Sequence, residues 1–192
     1  MSFNFRQIHR KIAPILFLPL FASALTGIFY RIGRSWFGIP NQLADFAMMI
    51  HLGGYLGPLV PVYVLLIGLG LLGLIVTGLS MTNLFGERSS KAAKVGVDAL
   101  RLAVRHRKLH SILAPIFFLP LAVSAVTGII FLLGKDFFGM SGEVAGIFLQ
   151  IHQGTYLGPI LRPFYVLLIG LGLIGLLVTG INMTSIFRKR RV

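Results

Sequence analysis

A chain of 192 residues that is 56% hydrophobic and only 12% charged, with a mean hydropathy of +0.87, carries more apolar surface than a soluble domain of that length can bury, which places it in a bilayer. It has no cysteine, and this excludes disulfides, thiolate-held iron–sulfur clusters or zinc, and the covalent attachment of a c-type haem. The net charge of +13 would suit nucleic acid, but the basic residues are distributed as membrane topology signals, so no nucleic-acid partner is expected.

The N-terminus places Arg6, Arg10 and Lys11 around His9. The first apolar run, Ile12 to Ile32, is long enough to span and lacks a small-residue cleavage site after it, so it is read as a span and not a signal peptide. Pro14 and Pro19 inside it predict kinks and not breaks, because lipid offers the freed backbone no other partner. Asn41 is the predicted N-cap of a short helix along the outer surface, which ends near the Gly-Pro of IHLGGYLGP (Ile50 to Pro58). A second span covers Leu59 to Met81. A basic segment follows, with Arg88, Lys91, Lys94, Arg101, Arg105, Arg107 and Lys108. The third span, Ile112 to Leu133, again holds two prolines, Pro115 and Pro120. Ser141 is the predicted cap of a second surface helix, IHQGTYLGP (Ile151 to Pro159) closes it, and Leu161 to Met183 is the fourth span.

Of the 18 lysines and arginines, 14 fall at the two termini and in the central segment, while Arg31, Arg34, Lys135 and Arg162 fall on the opposite side. The positive-inside rule puts both termini and the central segment in the cytoplasm, where their charge also meets anionic membrane lipid. The two halves are copies. A shift of 101 residues superposes His9–Pro58 on His110–Pro159 with 24 of 50 positions identical; after one inserted residue, VLLIGLGLLGLIVTG matches VLLIGLGLIGLLVTG. The predicted fold is therefore an all-α integral membrane bundle. Its four transmembrane helices come from two tandem, parallel helical hairpins: residues 1–85, a basic cytoplasmic linker 86–105, and residues 106–192. Short interfacial helices lie on the outer side. Small pairs four apart (Ser23/Gly27, Gly73/Thr77, Ser124/Gly128, Gly175/Thr179) are expected to carry close helix packing.

Four of the five histidines form copy-related pairs, His9 with His110 on the cytoplasmic side and His51 with His152 on the outer side. Two neutral imidazoles meeting across a pseudo-twofold axis suit the two axial positions of a haem iron, one haem toward each face. Gly27 and Gly128 lie at the outer depth, and Gly78 and Gly180 at the inner depth, where a missing side chain would let a macrocycle approach. Arg6 and Arg107, three residues before the inner histidines, are candidate propionate donors. Tyr55 and Tyr156, one turn beyond the outer histidines if the helix continues, are candidate hydrogen-bond partners for them. His106 has no counterpart and is read as surface. Zinc asks for three or four protein ligands where each face pairs two. A pigment needs only one histidine each and stays open. All five acids lie outside the spans, which disfavours ion transport, and no hydrolytic constellation is present.

These residues resemble the PepSY-associated transmembrane family, here as the membrane part alone without the PepSY domain. The likeness lies in IHRKIAPILFLPLFASALTG and LHSILAPIFFLPLAVSAVTG, each a histidine, an apolar run and a closing Thr-Gly, and in the later helices that run from IHLGGYLGP to IVTGLSM and from IHQGTYLGP to LVTGINM. The resemblance implies a bundle in a bacterial inner membrane or an equivalent energy-transducing membrane, haem binding and electron transfer, with His9, His51, His110 and His152 as ligands. For some members it implies a part in reducing ferric siderophores. The function expected is a b-type cytochrome-like electron carrier with two bis-histidine haems, a component of an oxidoreductase system with a redox partner or a larger membrane complex, or as a homo-oligomer. A non-enzymatic scaffold or assembly subunit and a pigment-binding protein are the alternatives.

Overall fold

Asn4 starts the first helix: its side-chain oxygen accepts from the Gln7 backbone N–H at 3.2 Å, satisfying a donor that a helix start leaves without an intrahelical partner. A computed structural model describes residues 4–81 and 97–184, with the backbone alone for 97–104. α1 (Phe5–Ile32) runs through Pro14 and Pro19 without a break and continues into a π-helical turn, Gly33–Phe37. α2 (Asn41–Leu52), α3 (Val60–Leu79), α4 (Val97–Asp136), α5 (Gly142–Gln153) and α6 (Gly158–Met183) follow. Every regular element among the described residues is a helix.

Four stretches are long and apolar enough to cross a membrane: Phe5–Phe37, Asn41–Leu79, Arg105–Asp136 and Thr155–Met183. Their outward faces are as apolar as their inner ones. Ile15 is 74% exposed and Leu18 is 70% exposed, a pattern that suits lipid and not water as the surrounding solvent.

Two details depart from expectation. Asn41 is the first residue of α2 and not its cap; the cap is Pro40, and the Asn41 side-chain oxygen accepts from Arg34 Nη1 at 2.6 Å instead. Ser141 does cap α5, accepting from the Val144 N–H at 3.4 Å. Residues 97–105 of the expected linker are helical and continuous with the third span. The rest of that linker, 86–96, lies outside the described residues, as does the basic tail from 185 onward.

α1 packs against α3 and α6, and α4 packs against the same two, so the ring order is α1, α3, α4, α6, with the leading helix of each half at opposite corners. Glycines on α3 and α6 allow these approaches. A Cβ on Gly68 would stand 2.5 Å from Ile129 Cδ1, and one on Gly170 would stand 2.5 Å from Ile28 Cγ1; Gly70 faces Leu16 and Gly172 faces Phe117 in the same way. Backbones can approach because these side chains are absent. The small pairs four apart play a different part. Gly73 has nothing within 4 Å of its missing Cβ; Gly175 does pack closely, its missing Cβ 3.1 Å from Leu113 Cδ1, and the other members lie against the histidines described next.

Candidate functional site

The inner site starts from a threonine. Thr77, on α3, donates its hydroxyl proton to the Gly73 carbonyl at 2.6 Å, so its oxygen is left to accept from His9 Nδ1–H at 2.9 Å. The second half repeats this: Thr179 donates to the Gly175 carbonyl at 2.6 Å and accepts from His110 Nδ1–H at 2.8 Å. Each ring lies over a glycine, with Cε1 3.4 Å from where a Cβ would stand on Gly78 or Gly180.

The outer site reaches the same result with different acceptors. α2 stops at Gly53, whose φ of +69° lets its N–H turn back to the carbonyls of Met49 and Ile50, and His51 sits in the last turn before that stop. Its Nδ1–H donates to the Ser23 carbonyl at 2.9 Å, as His152 Nδ1–H donates to the Ser124 carbonyl at 2.8 Å. A carbonyl oxygen can only accept, so both rings carry their proton on Nδ1. Cε1 of His51 lies 3.2 Å from a hypothetical Cβ on Gly27, and His152 lies 3.1 Å from one on Gly128. Gly27 and Gly128 thus make room for the outer imidazoles, whereas a Cβ at Gly78 or Gly180 would meet the inner rings at an ordinary contact distance.

All four rings therefore hold a proton on Nδ1 and leave Nε2 with a free lone pair. Among the described residues no buried side-chain nitrogen or oxygen lacks a partner, so the Nε2 atoms border open space and not packed protein. The rings meet in pairs. His9 and His110 have ring centres 6.5 Å apart with planes at 79°, and His51 and His152 have centres 6.4 Å apart with planes at 65°. A metal–imidazole bond of about 2.0–2.1 Å, plus roughly 1.1 Å from nitrogen to ring centre, separates two axial rings by about 6.3 Å. A direct N–H···N bond would draw the centres to about 5 Å, and neither Nε2 has a proton to give. The centre-to-centre spacing is the one two axial imidazoles would have with their Nε2 atoms turned toward a shared metal.

The two pairs open onto cavities of unequal size. The outer one is about 380 Å³ and the inner one about 80 Å³. The outer volume lies within the range of roughly 300–1,000 Å³ usual for cofactor pockets. The inner volume lies below that range, so side chains must move for a macrocycle to enter; Phe17 and Phe118, matching positions of the two halves, are the largest side chains that line it beside the histidines. Leu20, Leu71, Leu121 and Leu173, one from each long helix, border both cavities and form the layer between them.

Other expected site residues lie elsewhere. Arg6 and Arg107 are exposed and border neither cavity, and half-buried His106 also borders neither. Tyr55 and Tyr156 are 64% and 63% exposed, because Gly53 and Gly154 end the helices before a further turn can bring them back to the histidines. Tyr63 and Tyr165 pack against those glycines and border the outer cavity in their place. Among the described residues, no three of His, Cys, Asp and Glu gather into a metal-holding group, so a closed zinc site of protein ligands is not formed. The carbonyl acceptors escape sequence reasoning, since a backbone oxygen has no residue signature. The threonine acceptors carried one: Thr77 and Thr179 recur in both copies at the depth of the inner pair. Compared with known proteins, the chain matches no family model, no curated protein and no solved structure.

Proposed function

We propose that this chain is a multi-pass membrane electron carrier with a b-type haem on each histidine pair, His51/His152 on the outer side and His9/His110 on the cytoplasmic side. The observation that carries it is two histidine pairs at two depths, each ring held through Nδ1 with its Nε2 left free, at the centre-to-centre spacing of axial ligands. Haem would supply one-electron acceptance and release; the protein fixes ligand, tautomer and distance.

In this proposal the two hairpins are parallel repeats about an axis along the membrane normal, α2 and α5 lie in the outer interface, and both termini are cytoplasmic, as the charge distribution favours. The likeness to the PepSY-associated transmembrane family supports a bacterial inner or equivalent membrane and a redox partner within it. Ser23 and Gly27 bracket the His51 ring 14 and 18 residues beyond His9, which is about 21–27 Å of helix rise. Leu20, Leu71, Leu121 and Leu173 form the layer that separates the two sites along that distance.

Purified protein tests this. The expected result is a reduced-minus-oxidised b-type spectrum that falls in the His51→Ala/His152→Ala variant. A colourless protein that retains its fold and copurifies with other membrane subunits would replace the proposal with the scaffold alternative.

A further inference from the structure

The outer cavity is bordered by matching positions of both halves, which give it two sides, and the two sides differ sharply. On one, Arg31 of α1 and Arg162 of α6 converge on Gln153, the residue after His152. Arg31 Nη2 donates to the Gln153 side-chain oxygen at 3.4 Å, Arg162 Nη2 donates to the same oxygen, and Arg162 Nε donates to the Gln153 carbonyl at 3.3 Å. At the matching positions of the other half stand Leu132, Val60 and Leu52. Arg31, Gln153, Leu132 and Leu52 all border the cavity.

Two guanidiniums brought together repel, and an amide oxygen neutralises neither. Such an arrangement is stabilised by an anion that accepts from both, and a carboxylate fits the paired donor geometry of arginine. We propose that Arg31, Arg162 and Gln153 form a carboxylate port that receives the propionates of a haem seated on His51/His152, and so selects one of two otherwise near-equivalent orientations of that haem. This rests on the function proposed above. It supplies the outer haem with propionate donors, which the sequence alone suggests only for the inner one.

The test compares haem b with its dimethyl ester, which keeps the macrocycle and removes the carboxylates, on the full-length apoprotein in detergent. The His9→Ala/His110→Ala background isolates the outer pair, and wild type serves as the unmutated control. Haem is expected to bind about tenfold or more tightly than the ester. Arg31→Gln/Arg162→Gln is expected to bring haem down to the affinity of the ester. Paramagnetic NMR of the isolated outer haem should show one set of shifted haem methyl signals with both arginines present and two sets without them. Equal affinity for haem and ester, with one set of signals in the variant, would overturn the port while leaving the electron-carrier function standing. If the port instead serves a free carboxylate, haem and ester bind alike and acetate binding to the haem-loaded protein is lost in the variant, which also overturns the assignment. Wild type that takes up neither haem nor ester overturns both proposals.

Discussion

His51 and Ser23 meet side chain to backbone: the imidazole Nδ1–H donates to the Ser23 carbonyl at 2.9 Å. His9 and Thr77 meet side chain to side chain at 2.9 Å. The same tautomer is thus fixed by an acceptor that mutation cannot remove at one depth and by one that it can at the other. Thr77→Val keeps the shape and removes the acceptor, so it should weaken cofactor retention at the inner pair about tenfold or more. Ser23→Ala keeps the carbonyl and should change outer retention by less than that. Haem release to a competing apoprotein measures both.

Alanine at the Thr-Gly glycines should also sort by depth. A Cβ on Gly27 or Gly128 would crowd the ring at 3.2 or 3.1 Å, whereas at Gly78 or Gly180 it would meet Cε1 at 3.4 Å, an ordinary contact. Gly27→Ala/Gly128→Ala should therefore displace the outer imidazoles and lower the six-coordinate fraction there, with Gly78→Ala/Gly180→Ala close to wild type. Visible absorption of the ferric protein reads the coordination state.

The leucine layer should behave as core. Leu20 is 2% exposed and Leu121 is 3% exposed, and each borders both cavities. Truncation of either to alanine should destabilise the bundle by about 2–5 kcal/mol, the usual cost of a buried leucine. Leu18→Ala, at a position 70% exposed toward lipid, should be near neutral. Thermal melting in a fixed detergent compares them.

Cavity size predicts a loading order. With about 380 Å³ outside and about 80 Å³ inside, titration with haem should fill the His51/His152 pair first. Phe17→Ala/Phe118→Ala should remove the obstruction and bring the inner affinity toward the outer one. Stopped-flow uptake, with each pair deleted in turn, resolves the order.

The spans and the four histidines were legible because each rests on something linear: unbroken apolar length, or a motif that recurs after 101 residues. What escaped depends on where the chain bends. A continuous helix would bring Tyr55 one turn beyond His51, but Gly53 in the left-handed region ends the helix between them. Asn41 has the chemistry of a cap, yet Arg34 occupies its side chain. In the sequence Arg31 and Arg162 are only charges that orient the chain, since they stand 131 positions apart and meet only because α1 and α6 are neighbours. The difference between the two cavities was invisible as well, because Phe17 and Phe118 recur as faithfully as the residues that leave the outer site open.

The most direct test of paired axial imidazoles is low-temperature EPR of the oxidised, haem-loaded protein. Ring planes at 79° and 65° are far from parallel, and crossed imidazole planes give a low-spin ferric signal of large g anisotropy. The expected spectrum contains that signal at both sites, with the outer contribution lost in His51→Ala/His152→Ala and the inner one lost in His9→Ala/His110→Ala. A high-spin signal from five-coordinate iron, or a low-spin signal that survives both double substitutions, would contradict ligation by these four histidines.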